Sequence, residues 1–111
     1  MSDDVEPSIR DDLYVEVNYD GAASIVVIGE FDITGTARFW ASVSEALATQ
    51  PQSMIVEARG LTFIDSSGLQ ALLRARDAAA AAGVAFGVKE PSPGLRRIAE
   101  ICGVQDLLSD P

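Results

Sequence analysis

Apolar and polar positions alternate from Leu13 to Tyr19, setting Leu13, Val15, Val17 and Tyr19 on one side of a strand with one buried face. Asp20-Gly21 supplies a turn and Ser24 to Phe31 reads as a second strand, so the two form a hairpin turning near Asp20–Ala23. The period then lengthens. Phe39, Trp40, Val43, Ala46 and Leu47 share one helical stripe, in a segment that Thr34 or Thr36 can cap and that runs to about Thr49 before Pro51. Met54-Ile55-Val56 is a short continuous apolar run, the pattern of a strand covered on both faces, and Arg59 to Ile64 reads as a connection leading out of it. Leu69 to Ala82 is rich in Leu and Ala, with Leu69, Leu72, Leu73 and Arg76 on adjoining helical positions and Gly83 placed to end the helix. Val84 to Val88 is a further strand. Ser92-Pro93 joins an N-cap to a proline at the first helical position. Leu95, Ile98 and Cys102 then form the buried stripe of a last helix ending at Gly103, and the apolar residues of 104–108 pack back.

The order ββαβαβα predicts an α/β fold, a single mixed sheet of four to five strands with helices mainly on one face and right-handed crossovers. At 111 residues the chain has room for one domain. Area scaling gives roughly 65% of the unfolded surface buried on folding, enough for a core without disulfides or metals. Residues 1–12 are polar and aperiodic, with five acids against Arg10, and so carry −4 of the chain's −9. Residues 1–11 are therefore expected to be a flexible acidic tail and 12–111 the folded domain.

Charge and composition remove several functions. The chain has 17 acidic and 8 basic residues, a balance that argues against a nucleic-acid partner, whose phosphates call for basic clusters. No apolar run is long enough to span a membrane, and the acidic start Met1-Ser2-Asp3-Asp4 is no secretory signal, so the expected location is the cytoplasm. With no histidine there is no Ser-His-Asp or Cys-His triad and no His-ligated zinc. The single cysteine, Cys102, forms no internal disulfide, and its place in an apolar pattern reads as a buried small hydrophobe. No GxxxxGK[ST] phosphate loop is present. The expectation is a binding domain without catalysis, metal or cofactor, and nothing in the chain demands more than a monomer.

One stretch carries a chemical signal: Thr62-Phe63-Ile64-Asp65-Ser66-Ser67-Gly68-Leu69-Gln70-Ala71-Leu72-Leu73. An acid, two hydroxyls and a glycine stand at the start of an amphipathic helix. Local chemistry reads this first as a cap, because Asp and Ser oxygens accept from the free amides of a first turn. Three adjacent side chains can cap where one suffices, so at least one hydroxyl is left over. A hydroxyl there suits a phosphoacceptor, since the helix dipole and free amides tolerate a dianion. A nucleophilic serine does not fit, with no histidine to activate it.

This segment resembles the signature of the STAS domain family (sulfate transporter and anti-sigma factor antagonist), and within it the bacterial anti-sigma factor antagonists. The resemblance also rests on Val27-Ile28-Gly29-Glu30-Phe31-Asp32 and on Gly103-Val104-Gln105-Asp106-Leu107-Leu108, and it covers roughly residues 12–109. It implies that Ser66, directly after Asp65, is phosphorylated by a partner that is both anti-sigma factor and serine kinase, with a phosphatase to reset it. It also implies a partner surface formed by Asp32, Asp65, Ser66, Ser67 and Gly68. Asp65 would orient the acceptor or cap the helix, and Ser67 and Gly68 would shape the helix start. Asp32 has a local alternative as a turn or helix cap. Glu57 departs from the family, which often has aspartate at the end of the third strand. The implied function is anti-sigma factor antagonism by partner switching. The alternative is a STAS accessory subunit of a transport or signalling assembly, without a phosphate switch.

Overall fold

The computed structural model describes residues 13–108, so the acidic segment 1–11 expected to be flexible lies outside the described residues. Strands β1 (Leu13–Asp20) and β2 (Ala22–Phe31) pair antiparallel, Asp20 opposite Ala22, around Gly21 alone. Gly21 has φ +82°, a left-handed value open to glycine at little steric cost, so the hairpin turns more tightly than the expected four residues. A 3₁₀ turn (Ile33–Gly35) then leads into helix α1 (Thr36–Ala48). Strand β3 (Ser53–Ile64), helix α2 (Ser66–Ala81), strand β4 (Ala85–Lys89) and helix α3 (Pro93–Ile101) come next, with a 3₁₀ turn at Gln105–Leu108.

The sheet has four strands in sequential order, β3 parallel to β2 and β4 parallel to β3. This is the mixed α/β arrangement expected from the element order. Ala23, Ile25 and Val27 of β2 and Met54, Val56 and Ala58 of β3 point into the core, which Phe39, Val43 and Ala46 of α1 and Leu69, Leu72 and Ala75 of α2 complete. Tyr14, Ile28 and Phe63 stay about half exposed on the opposite face of the sheet. The helices cover one side.

Three local expectations are corrected. First, Met54-Ile55-Val56 is not covered on both faces, because Ile55 is only half-buried between two fully buried neighbours. Second, Arg59 to Ile64 is not a connector but the second half of β3. Two register shifts against β2, between Val26 and Ile28 and between Gly29 and Glu30, each add a residue to β3. Inward residues there recur at spacings of three (Ala58, Leu61, Ile64), which hides a strand from a period-two reading.

Third, Cys102 is exposed. Helix α3 ends at Ile101, and the chain reverses at Gly103 (φ +73°). The amide of Val104 donates to the Ala99 carbonyl at 2.9 Å, and buried Leu107 completes the cover expected from a third helical residue. Two other expected helix ends hold, the start of α3 and the end of α2. Ser92 accepts from the Leu95 amide at 3.2 Å, and Gly83 takes φ +75° just past α2.

Candidate functional site

Strands β2 and β3 run parallel and finish in register, Phe31 beside Ile64. The next residues are Asp32 and Asp65, so both carboxylates emerge at the C-terminal edge of the sheet, where α/β folds place their ligand sites. The Asp65 amide donates to the Phe31 carbonyl at 3.3 Å, which ties the two strand exits together. Both aspartates have extended backbone, and each caps the helical turn directly after it. One Asp65 oxygen accepts from the amides of Ser67 (3.0 Å) and Gly68 (3.1 Å). One Asp32 oxygen accepts from the Thr34 amide (3.0 Å) and hydroxyl (2.6 Å). Thr34 is therefore a donor to the cap and not the cap itself. Helix α1 starts after Gly35 with no side-chain cap, which corrects the expected capping by Thr34 or Thr36.

Gly68 explains how α2 starts so close to the sheet. A Cβ at this position would lie 2.5 Å from the Phe31 carbonyl oxygen and 2.8 Å from Ile64. The first of these is backbone and cannot swing away, so the close approach needs glycine. The same approach fixes where the two serines go. Ser66 opens the helix and is exposed, whereas Ser67 is half-buried. Asp65 alone does the capping, and neither serine hydroxyl makes a hydrogen bond among the described residues. The hydroxyl expected to be left over is thus two hydroxyls, one facing out and one facing a groove.

That groove, about 600 Å³, runs between the start of α1 and the first two turns of α2. Ile33, Ala37 and Trp40 line one wall, and Ser67, Ala71 and Arg74 the other. The Arg74 guanidinium lies over the Trp40 ring, 4.0 Å from its centroid. Neither residue is among the site residues expected from sequence. Trp40 falls on the buried stripe of α1 but is only half-buried, and the small Ala37 and Ala71 leave the space it faces. Spacing does carry a trace of this wall, since Ser67, Ala71 and Arg74 recur at helical intervals of four and three.

The Thr34 hydroxyl, and then its amide, hold the Asp32 carboxyl below the usual carboxylate range. Among the described residues no three His, Cys, Asp or Glu side chains are grouped to hold a metal ion. No helix among them is long and apolar enough to cross a membrane. Glu57 is half-buried on the helix-free face, in register with Lys89 of β4 and well before the β3 exit that positions Asp65.

The family model described as Mlab, STAS domain matches residues 16–109. A STAS-domain containing protein of Pseudomonas aeruginosa is 31% identical over 84 residues, 76% of this chain and 82% of that protein. An anti-sigma factor antagonist from Mycobacterium paratuberculosis superposes with a TM-score of 0.75 at 21% identity, covering 89% of this chain and 85% of that one. The anti-sigma factor antagonist SpoIIAA in its unphosphorylated form superposes at 0.72 with 23% identity, covering 89% and 87%. Its phosphorylated form, described as a Bacillus cell fate determinant, superposes at 0.67 with 23% identity, covering 89% and 90%. Four strands in sequential order, two aspartates at adjacent strand exits and a family match over nearly the whole described chain agree, and the chain belongs to the STAS domain family.

Proposed function

We propose that this chain is an anti-sigma factor antagonist that works by partner switching, with Ser66 as its phosphoacceptor. One observation carries the reading: Asp65 alone supplies the side-chain cap of α2, so the exposed Ser66 hydroxyl has no capping task. The unmodified protein binds an anti-sigma factor that is also a serine kinase, and the sigma factor is released. Transfer of the ATP γ-phosphoryl group to the Ser66 oxygen breaks its bond to the β,γ-bridging oxygen, releases ADP and the hydroxyl proton, and ends the complex. The domain is a substrate and a binder, and catalysis belongs to the partner. A phosphatase resets the switch. The anti-sigma factor antagonists that share the fold support this reading, as does the solution of SpoIIAA in both phosphorylation states.

The physics of the switch is local. A phosphate at the first residue of a 16-residue helix meets the positive end of the helix dipole, so the fold tolerates it. It adds about −1.5 to −2 charges beside Asp65 and near Asp32. An interface shaped to a neutral hydroxyl would have to desolvate that charge next to two carboxylates. A loss of about 3–4 kcal/mol weakens binding a few hundred-fold, enough to exchange partners.

The test uses wild-type protein and Ser66→Asp as parallel baits in native lysate, with retained proteins identified by mass spectrometry. A kinase-type anti-sigma factor retained by wild type and lost from Ser66→Asp is the expected result. Retention of the same transport or signalling subunits by both baits would instead make the chain an unswitched accessory subunit.

A further inference from the structure

The charged side chain that lines the groove beside Ser66 has the opposite sign from the net charge of the chain. The chain carries −9, yet the only charged side chain lining this groove among the described residues is Arg74. Two other arginines are engaged by carboxylates: Arg76 pairs with Asp77 and Asp106, and Arg59 with Glu90. Arg74 pairs with no carboxylate among the described residues and is held instead by the Trp40 ring. The ring covers one side of the guanidinium, and N–H donors directed away from the ring can still reach a ligand. It also biases the exposed side chain toward one position, so less rotamer freedom is lost when a ligand arrives. Beside it the groove is apolar, with Ala37, Ala71 and an Ile33 that is 70% exposed. Tryptophan and arginine, adjacent and organised in advance, are the residue types that dominate binding energy at protein interfaces.

We infer that Arg74, stacked on Trp40, is the charge-selecting residue of this face, and that the groove takes an acidic peptide segment of the partner. A carboxylate of that segment pairs with the Arg74 guanidinium, and a neighbouring apolar side chain packs against Ile33 and Ala37. The two capping aspartates, next in the chain to Ile33 and Ser66, bias the position of the carboxylate. Asp32 and Asp65 repel it at one end of the groove, while Arg74 lies about 10 Å further along α2, seven residues beyond Ser67. This inference rests on the reading of the face as a partner site, and it assigns the partner's chemistry there.

The test is selection of a displayed library of random 12-residue peptides, tryptophan excluded, against the full chain and its Arg74→Glu and Arg74→Gln variants. Trp40 is the only tryptophan of the chain, so its fluorescence reports groove occupancy directly. Peptides selected by wild type should share an Asp or Glu next to an aliphatic or aromatic residue and shift the Trp40 emission. Replacing that acid by its amide should weaken binding by about tenfold or more, as for a charge-assisted pair. Arg74→Gln should weaken the same peptides, and Arg74→Glu should select Lys or Arg at that position, both variants keeping the wild-type circular dichroism. No enriched peptide, enriched peptides without an acid, or binding indifferent to Arg74→Glu would each overturn the assignment. An anti-sigma factor captured equally by wild type and Arg74→Glu would overturn it while leaving partner switching intact. Acidic peptides that obey Arg74, in a protein whose baits retain no anti-sigma factor, would do the reverse.

Discussion

Gly68 and Gly94 both sit in the first turns of helices, yet an added methyl group meets different surroundings. At Gly68 it would strike the Phe31 carbonyl at 2.5 Å, whereas at Gly94 nothing lies within 4 Å. Gly68→Ala is expected to push α2 off the sheet at a cost of about 1–3 kcal/mol, the range for overpacking. In a domain of this size that lowers the Tm by roughly 5–20 °C. Gly94→Ala should leave the Tm unchanged or raise it slightly, since alanine restricts the unfolded chain. Thermal melts of the two variants side by side check both. Asp32 adds a pH signature. Its carboxyl is held down by Thr34, so its contribution is present above the unfolded value of about 3.9 and is lost as pH falls through the lower folded value. Asp32→Asn keeps an oxygen acceptor for Thr34 but cannot ionise. Melting temperatures of wild type and Asp32→Asn should therefore differ at neutral pH, with wild type higher, and converge at the acid end.

At the scale of elements, the cap of α2 is separable from the serine proposed as phosphoacceptor. Asp65→Ala removes the acceptor for two amides and is expected to cost about 1 kcal/mol, or roughly 4–8 °C in Tm. Asp65→Asn and Asp65→Ser should recover most of that, and Ser66→Ala should cost almost nothing because Ser66 caps nothing. The element order was legible because the side-chain period survives in most elements, as Ile25 and Val27 or Leu69 and Leu72 illustrate. It failed where a tertiary feature breaks the period. The two bulges of β3 stretch the inward spacing from two to three, and the early end of α3 turns Cys102 out to solvent. The Asp65 cap and the spare hydroxyl were legible because capping is decided within three residues. Trp40 and Arg74 were not, because 33 residues separate them in the chain and only the packing of α1 on α2 brings ring and guanidinium together.

At the scale of the whole molecule, an acidic domain offers one face where two strand exits, two capping aspartates, two serine hydroxyls without hydrogen bonds and a groove converge, Arg74 being the one cation lining that groove among the described residues. On the proposed reading, charge added there would change a partner interface far more than the fold, which is what a phosphate switch requires. The most direct measurement phosphorylates the protein with its captured anti-sigma kinase and ATP, maps the phosphate by mass spectrometry, and compares the Kd of both forms for that partner. Wild type and Ser67→Ala should take one phosphate, at Ser66, and Ser66→Ala none. The phosphorylated protein should bind a few hundred-fold more weakly with an unchanged circular dichroism spectrum. Phosphate on Ser67 in the wild type, or equal affinity of the two forms, would contradict the account.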